Sequence, residues 1–256
     1  MALFNNNKAF TLAEILITLG IIGVVAAITI PMLMTKYHRI IVENRLKDSY
    51  AIMSNAVKMA EEEYGVGFEP TDVLTGTGWS PENSKIVFDK YFRPFMKINY
   101  EYSQDDCVEL SKAYGQNPNS SMYIDYNGAC YSLPNGVSII FWAGRKDTDS
   151  PYLMSAQFRI NPAKKKQIEG IDVFGFEIFN SNNGLVVTSG LDQIGFEISD
   201  EKLIESCGSN SDRISVNGYS WGRSAFCMEL IKRNSWKIPA NYPLKFWHIL
   251  FATENV

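Results

Sequence analysis

Residues 8–31 read KAFTLAEILITLGIIGVVAAITIP, from Lys8 to Pro31, and the reading of this stretch decides the fold. Ile15 to Met34 is a run of twenty residues without a charge, interrupted only by Thr18, Thr29, two glycines and Pro31. As a helix rising 1.5 Å per residue it spans about 30 Å, the thickness of a bilayer's hydrocarbon core. A single carboxylate, Glu14, stands at its entrance. Two ordinary readings compete. One is a cleaved secretory signal, with Lys8 as the charged region and small residues at Ala26 and Ala27. The other is a plain membrane anchor. Both leave an acidic side chain in apolar surroundings without a partner, and that arrangement is costly unless it serves a specific contact.

The rest of the composition narrows the function classes. A chain of 256 residues can bury a sizeable core in one or two domains. Its 46% apolar and 13% aromatic content argue against disorder. A net charge of −4 supplies no basic field for nucleic acid, so no nucleic-acid partner is expected. The only histidines are His38 and His248, and no nucleophile elbow, zinc-protease helix or phosphate-binding loop occurs. No catalytic residues, metal or cofactor are expected.

The segment Lys8, Ala9, Phe10-Thr11-Leu12-Ala13-Glu14 and the apolar run resemble the N-terminus of type IV pilins and type II secretion pseudopilins. In that family a short basic leader ends in a small residue, usually glycine and here Ala9. A prepilin peptidase cuts there and methylates the new N-terminus. The resemblance therefore implies cleavage between Ala9 and Phe10, N-methylation of Phe10, and a leader of residues 1–9. It also implies a role for Glu14: in a stacked filament its carboxylate meets the Phe10 amine of a neighbouring subunit. Such a pair offsets part of the desolvation cost and rewards one axial register. Gly23 and Pro31 fit the same picture, because each weakens a helix, Gly by about 1 and Pro by about 3 kcal/mol. In pilin-like subunits this region bends or melts when the subunit leaves the bilayer.

Beyond Pro31 the chain turns polar but keeps helical periodicity. Val42, Leu46, Tyr50, Met53, Val57, Ala60 and Tyr64 recur at spacings of three and four and form one apolar stripe. Gly65 and Gly67 then stop the helix. The spacing predicts a spine helix over residues 10–64 with a transmembrane half at 12–34, followed by a globular head over 65–256. The stripe is too short and irregular for a coiled coil, so packing against a sheet is expected. Lys36, Arg39, Arg45 and Lys47 follow the span whereas only Lys8 precedes it, which by charge counting alone would keep the head in the cytoplasm. The cysteines and the resemblance point the other way: inner membrane, single pass, head outside.

The head reads as α+β, a long helix laid on an antiparallel sheet. Ser80 and Pro81 open a helix as N-cap and first residue. Pro134-Asn135-Gly136 joins two strands in a hairpin. Further strands are expected at 152–160 and 171–179, the second pairing with 185–188 across Asn182-Asn183-Gly184. Helices are expected at 201–206 and 224–234. Cys107, Cys130, Cys207 and Cys227 contain no C-x-x-C unit, so zinc and thioredoxin-type chemistry are disfavoured. In an exported head disulfides are their natural use. Three pairings are possible; Cys107–Cys130 with Cys207–Cys227 is the local one. Asp125-Tyr126-Asn127-Gly128 and Asp147-Thr148-Asp149 alternate oxygen ligands without completing a calcium set. Lys164-Lys165-Lys166 reads as a solvated loop, and His248 beside Trp247 and Phe251 as packing.

The expected function is a structural, non-enzymatic subunit of a type IV pilus or type II secretion pseudopilus, its large head favouring a minor subunit. Its partners are the prepilin peptidase, other pilin-like subunits, the lipid bilayer, and an inner-membrane assembly platform with its ATPase. The alternative from another class is a bitopic, permanently anchored extracytoplasmic binding protein or enzyme, in which Glu14 is incidental.

Overall fold

A computed structural model of the chain describes residues 11–70, 73–74, 78–111, 113–114, 121–122, 128–145, 153–163, 167–181, 183–191, 197–211, 214–216 and 219–246. The elements are α1 (Leu12–Tyr64), β1 (Gly78–Trp79), α2 (Pro81–Tyr91), β2 (Tyr100–Glu101), α3 (Gln104–Ser111), β3 (Ala113–Tyr114), β4 (Ser121–Met122), β5 (Ala129–Ser132), β6 (Ser138–Arg145), β7 (Leu153–Arg159), β8 (Val173–Ser181), β9 (Gly184–Thr188), α4 (Asp200–Gly208), β10 (Ile214–Val216), β11 (Tyr219–Trp221) and α5 (Arg223–Arg233). A long N-terminal helix followed by an antiparallel sheet is the expected α+β, pilin-like architecture. The chain divides into two compact units, residues 1–40 with 246–256, and residues 41–245.

The second unit is built on one antiparallel sheet ordered β2-β5-β6-β7-β8-β9, with β1 pairing onto β6. Every residue from Ile139 to Ala143 is buried, so β6 is covered on both faces. On one face, Phe141 meets Phe88 and Phe92 of α2 with ring centroids 5.3 and 5.6 Å apart. Tyr131 stacks on Phe88 at 4.0 Å, and farther along Phe158 stacks on Phe176 at 4.2 Å. On the other face, Ile140 and Trp142 pack with Leu110 and the Cys107–Cys130 bridge. The register puts Gln157 opposite Ile140 and Gly175 opposite Gln157, on this second face. There α5 approaches closely enough that a Cβ on Gly175 would lie 3.1 Å from Ser224 Oγ.

The spine's second half belongs to this unit. Val42, Leu46, Met53, Val57 and Ala60 of the stripe are buried, and Tyr64 places its ring 4.8 Å from that of Tyr91. Polar side chains tie the helix down between these points. Glu43 pairs with Lys237 at 2.9 Å and accepts from the Ile238 N–H at 2.9 Å. Arg45 donates to the Ile160 carbonyl at 2.8 Å, and Tyr50 to that of Val187 at 2.6 Å. Glu61 Oε1 accepts the backbone N–H groups of Leu185 and Gly67, at 2.6 and 2.8 Å. Gly65, at φ +100°, ends the helix with its N–H on the Glu61 carbonyl.

Local signals act as read elsewhere in the head. Ser80 Oγ caps α2 by accepting from the Asn83 N–H at 3.0 Å, with Pro81 first in the helix. Ser199 caps α4 in the same way through Lys202. Pro134-Asn135-Gly136 turns β5 into β6. The bridges join Cys107 to Cys130 and Cys207 to Cys227. The helix α3 has no counterpart among the sequence expectations. The Tyr152 and Asn182 ends of two expected elements, the Asp125–Asn127 and Asp147–Asp149 segments, Lys164–Lys166 and His248 lie outside the described residues.

A buried ionic cluster underlies α5. Arg159, wholly buried, donates to Gln157 Oε1 and the Ser111 carbonyl, both at 2.9 Å. Glu169, Asp172 and Arg223 are buried nearby, and burial lowers the Arg159 guanidinium to about 10 despite the attraction of both carboxylates. Burial likewise raises the Glu169 carboxyl, against the pull of Arg223 and Arg159. A second network lies nearer the surface: Lys85 and Arg93 each contact both Asp89 and Glu101. Burial alone would raise Asp89, but hydrogen bonds from Lys85 and Arg93 outweigh it and hold the carboxyl below its usual range.

This packing sets two expected outcomes. Gly170 has φ +82°, and a Cβ there would run into Cys227 Sγ. Gly170→Ala should cost about 2 kcal/mol or more in denaturant unfolding, whereas Gly65→Ala, with nothing within 4 Å of its Cβ, should cost only the strain of its positive φ. The depressed Asp89 and Glu101 carboxyls bind fewer protons folded than unfolded. Their contribution is therefore present above the ordinary carboxylate range, about pH 4, and is lost as pH falls through the lower folded values. Denaturant unfolding followed by circular dichroism should show stability falling with pH below that range, and Asp89→Asn should flatten the slope. Equal slopes in the two proteins would show that the network contributes nothing.

Candidate functional site

The first unit is dominated by apolar surface that no described residue covers. Every large apolar side chain from Leu12 to Met34 is exposed, between 42% and 78%. That surface is not the core face of a soluble helix, and α1 is long and apolar enough to cross a membrane. Its polar interruptions are answered internally. The hydroxyls of Thr18, Thr29 and Thr35 each donate to a carbonyl three or four residues back, at 2.9 Å, so none is left bare toward lipid. Pro31 lies inside the helix and brings no N–H for the carbonyl four residues before it. At Gly20 and Gly23 nothing lies within 4 Å of where a Cβ would be. No packing among the described residues requires glycine there.

Glu14 has a role that the sequence reading missed. Its Oε2 accepts from the Thr11 N–H at 2.8 Å and from the Thr11 hydroxyl at 2.9 Å, while the Thr11 hydroxyl oxygen accepts from the Glu14 N–H at 3.2 Å. This is a reciprocal capping box, which satisfies two of the donors a helix leaves orphaned at its start. The signal is present as T-x-x-E at residues 11–14 directly before an apolar run. Both contacts fall on Oε2; Oε1 has no partner among the described residues. Ala9 and Phe10 lie outside the described residues. The sequence-derived site is thus brought together only in part: Glu14 at the helix start, Gly23 and Pro31 inside the span, and the four cysteines in the head.

Among the described residues of the second unit, a groove of about 520 Å³ offers a concavity for a ligand. It runs between α1 and the edge strand β9, lined by Tyr50, Ser54, Lys58, Val186 and Lys232 among others. Its lining contains no histidine, cysteine or carboxylate. Ser54 Oγ is buried and has no hydrogen-bond partner among the described residues, so no base among them activates it. Among the described residues, no three His, Cys, Asp or Glu side chains converge as a metal set.

Comparison with known proteins gives two matches, one to each part of the chain on either side of Pro31. Residues 4–30 match the profile of the prokaryotic N-terminal methylation motif. Residues 32–246 match the profile of a family of unknown function, DUF6613. No curated protein and no solved structure matches the chain. The motif is the signature of type IV pilins and pseudopilins, and it points to a structural subunit rather than an enzyme.

The capping box generates a direct expectation. In detergent micelles, Thr11→Val should remove the hydroxyl from both of its bonds and fray the first turn of α1. Amide exchange of Glu14, whose N–H donates to the Thr11 hydroxyl, and of Ile15, whose N–H donates to the Thr11 carbonyl, should speed up several-fold, with residues 20–30 unchanged; unchanged protection throughout would show that the box holds nothing.

Proposed function

We propose, from the premise that the chain belongs to the DUF6613 family and opens with the N-terminal methylation motif, that it is a pilin-like subunit processed and polymerised through α1. Prepilin peptidase removes residues 1–9, cutting between Ala9 and Phe10, and methylates Phe10. The processed chain waits in the inner membrane as a single-pass protein with its head outside. A platform and its ATPase then extract it into a filament. The observation that carries this reading is the uncovered apolar surface of residues 12–34 beneath a carboxylate placed four residues after Phe10. In the bilayer lipid covers that surface; in a filament the same residues of other subunits cover it.

Glu14 then has two tasks. It caps its own helix, and it receives the Phe10 amine of a neighbour, so that subunits add in one register. Gly23 and Pro31 lower the cost of bending or unwinding the span as it leaves the lipid. Two disulfides suit a head that folds outside the reducing cytoplasm.

The test uses the native assembly system. Intact mass of membrane-extracted protein should give a mature chain of 256 − 9 = 247 residues beginning at N-methylated Phe10. Glu14→Ala should leave membrane insertion intact and abolish incorporation into filaments. A soluble product beginning near Ile28 would refute the reading, as would normal assembly of Glu14→Ala.

A further inference from the structure

The groove between α1 and β9 holds one hydrogen-bond donor and one acceptor that the fold leaves unclaimed. Leu185 and Val187 of the edge strand turn both backbone groups away from β8. Glu61 takes the Leu185 N–H and Tyr50 the Val187 carbonyl, each at 2.6 Å. Between them, the Leu185 carbonyl and the Val187 N–H have no hydrogen-bond partner among the described residues. In a parallel ladder one residue of an incoming strand fills such a gap. It gives its N–H to the first carbonyl and takes the second N–H on its own carbonyl. Glu61 and Tyr50 close the edge on both sides, so the gap takes one bridging residue and not a long strand.

The surroundings select the occupant further. The groove, about 520 Å³, has the size of a small-ligand site, with apolar walls at Val57, Phe179 and Val186. Its wall also carries Ser54, whose buried Oγ has no hydrogen-bond partner among the described residues; such groups are rare unless water or a ligand completes them. Two cations line it, Lys58 and Lys232, and no carboxylate does. Lys58 is exposed. Lys232 lies 3.6 Å from Glu229, but that carboxylate is shared with Arg233 at 2.9 Å, so net positive charge remains. The Lys232 ammonium lies 6.0 Å from the Tyr50 ring centroid, and Tyr50 marks the Val187 end of the gap. A segment running parallel to β9 brings its own C-terminus to that end. We propose that this groove binds a short extended peptide ending in a free carboxylate, one residue bridging Leu185 and Val187 and the carboxylate drawn to the two lysines. The groove lies wholly within the second unit, so this binding is independent of how α1 enters a membrane or a filament.

The experiment uses the full chain in maltoside micelles, with isotope-labelled valine methyls read by NMR and acetyl-Ala-Val-Ala as the probe. The free acid should shift Val57, Val186 and Val187 saturably and leave Val24, Val87 and Val173 unmoved. Its C-terminal amide should bind about tenfold more weakly, the worth of a charge-assisted hydrogen bond. N-methylation of the central valine removes the donor to the Leu185 carbonyl and should also weaken binding several-fold. In a chain carrying Lys58→Met and Lys232→Met, acid and amide should bind alike. No saturable shift with the free acid would overturn the site. An amide as tight as the acid would overturn the carboxylate's role. Equal binding of the N-methylated peptide, or of hexanoate, would overturn strand pairing and with it the peptide as ligand. The peptide comparisons are made on the unaltered chain, so they decide the matter even where the double variant is less stable.

Discussion

The apolar surface of residues 12–34 must be covered, and the described part of the chain does not cover it. That constraint orders everything else. Such a surface in water would promote aggregation, and a bilayer's hydrocarbon core is one environment that covers it. Internal hydroxyl-to-carbonyl bonds at Thr18, Thr29 and Thr35 make the helix tolerable to lipid. No described part of the chain occupies the space around Gly20 and Gly23, so packing among the described residues does not explain their small size.

The same helix meets a different requirement past residue 41. There it covers a sheet, and the strand it reaches is the edge. In an antiparallel ladder, alternate residues of an edge strand point both backbone groups outward, and in β9 these are Leu185 and Val187. The Leu185 N–H is taken by Glu61 and the Val187 carbonyl by Tyr50. An open edge is a template for pairing with other chains. Side chains from the spine thus blunt the edge. Glu43 anchors residues 237 and 238 to the spine in the same manner. Trp236 adopts φ +64°, unusual for a bulky residue, and its ring lies 4.8 Å from that of Tyr50. The turn after α5 accepts backbone strain where its aromatic side chain meets the spine.

Much of this was legible in the sequence because it depends on local chemistry. The uncharged run, the three-and-four stripe, Ser80-Pro81, Pro134-Asn135-Gly136 and the local cysteine spacings each encode structure within a short stretch of chain. The illegible part depends on long-range placement. Glu43 and Glu61 look like solvated charges on the polar side of a helix, yet each reaches a backbone N–H in a distant part of the chain. Gln157 and Arg159 occupy alternate positions of β7 that a half-exposed strand would turn to water. They are buried because α5 and the Ser111 end of α3 cover that face. No periodicity in β7 could announce a helix that arrives so much later in the chain. The helix α3 itself is short and acidic, and one disulfide pins it to the sheet.

Glu14 shows how a locally readable motif and a nonlocal one share the same atoms. Read as a capping box, its carboxylate is satisfied within the first turn and needs no neighbour. Read as a registry device, it must remain able to receive an amine. The proposed registry role is compatible with the cap, since both Thr11 contacts fall on Oε2 and no described residue occupies Oε1. A carboxylate has about four lone-pair sites, so the cap does not exhaust it. Capping also fixes the side chain against the helix start, which removes rotamer freedom before any partner arrives. A neighbour's amine would then meet a positioned acceptor rather than a mobile one, and less entropy would be lost on pairing. On this view Thr11 contributes to subunit registry through Glu14, and the segment from Thr11 to Glu14 acts as one unit.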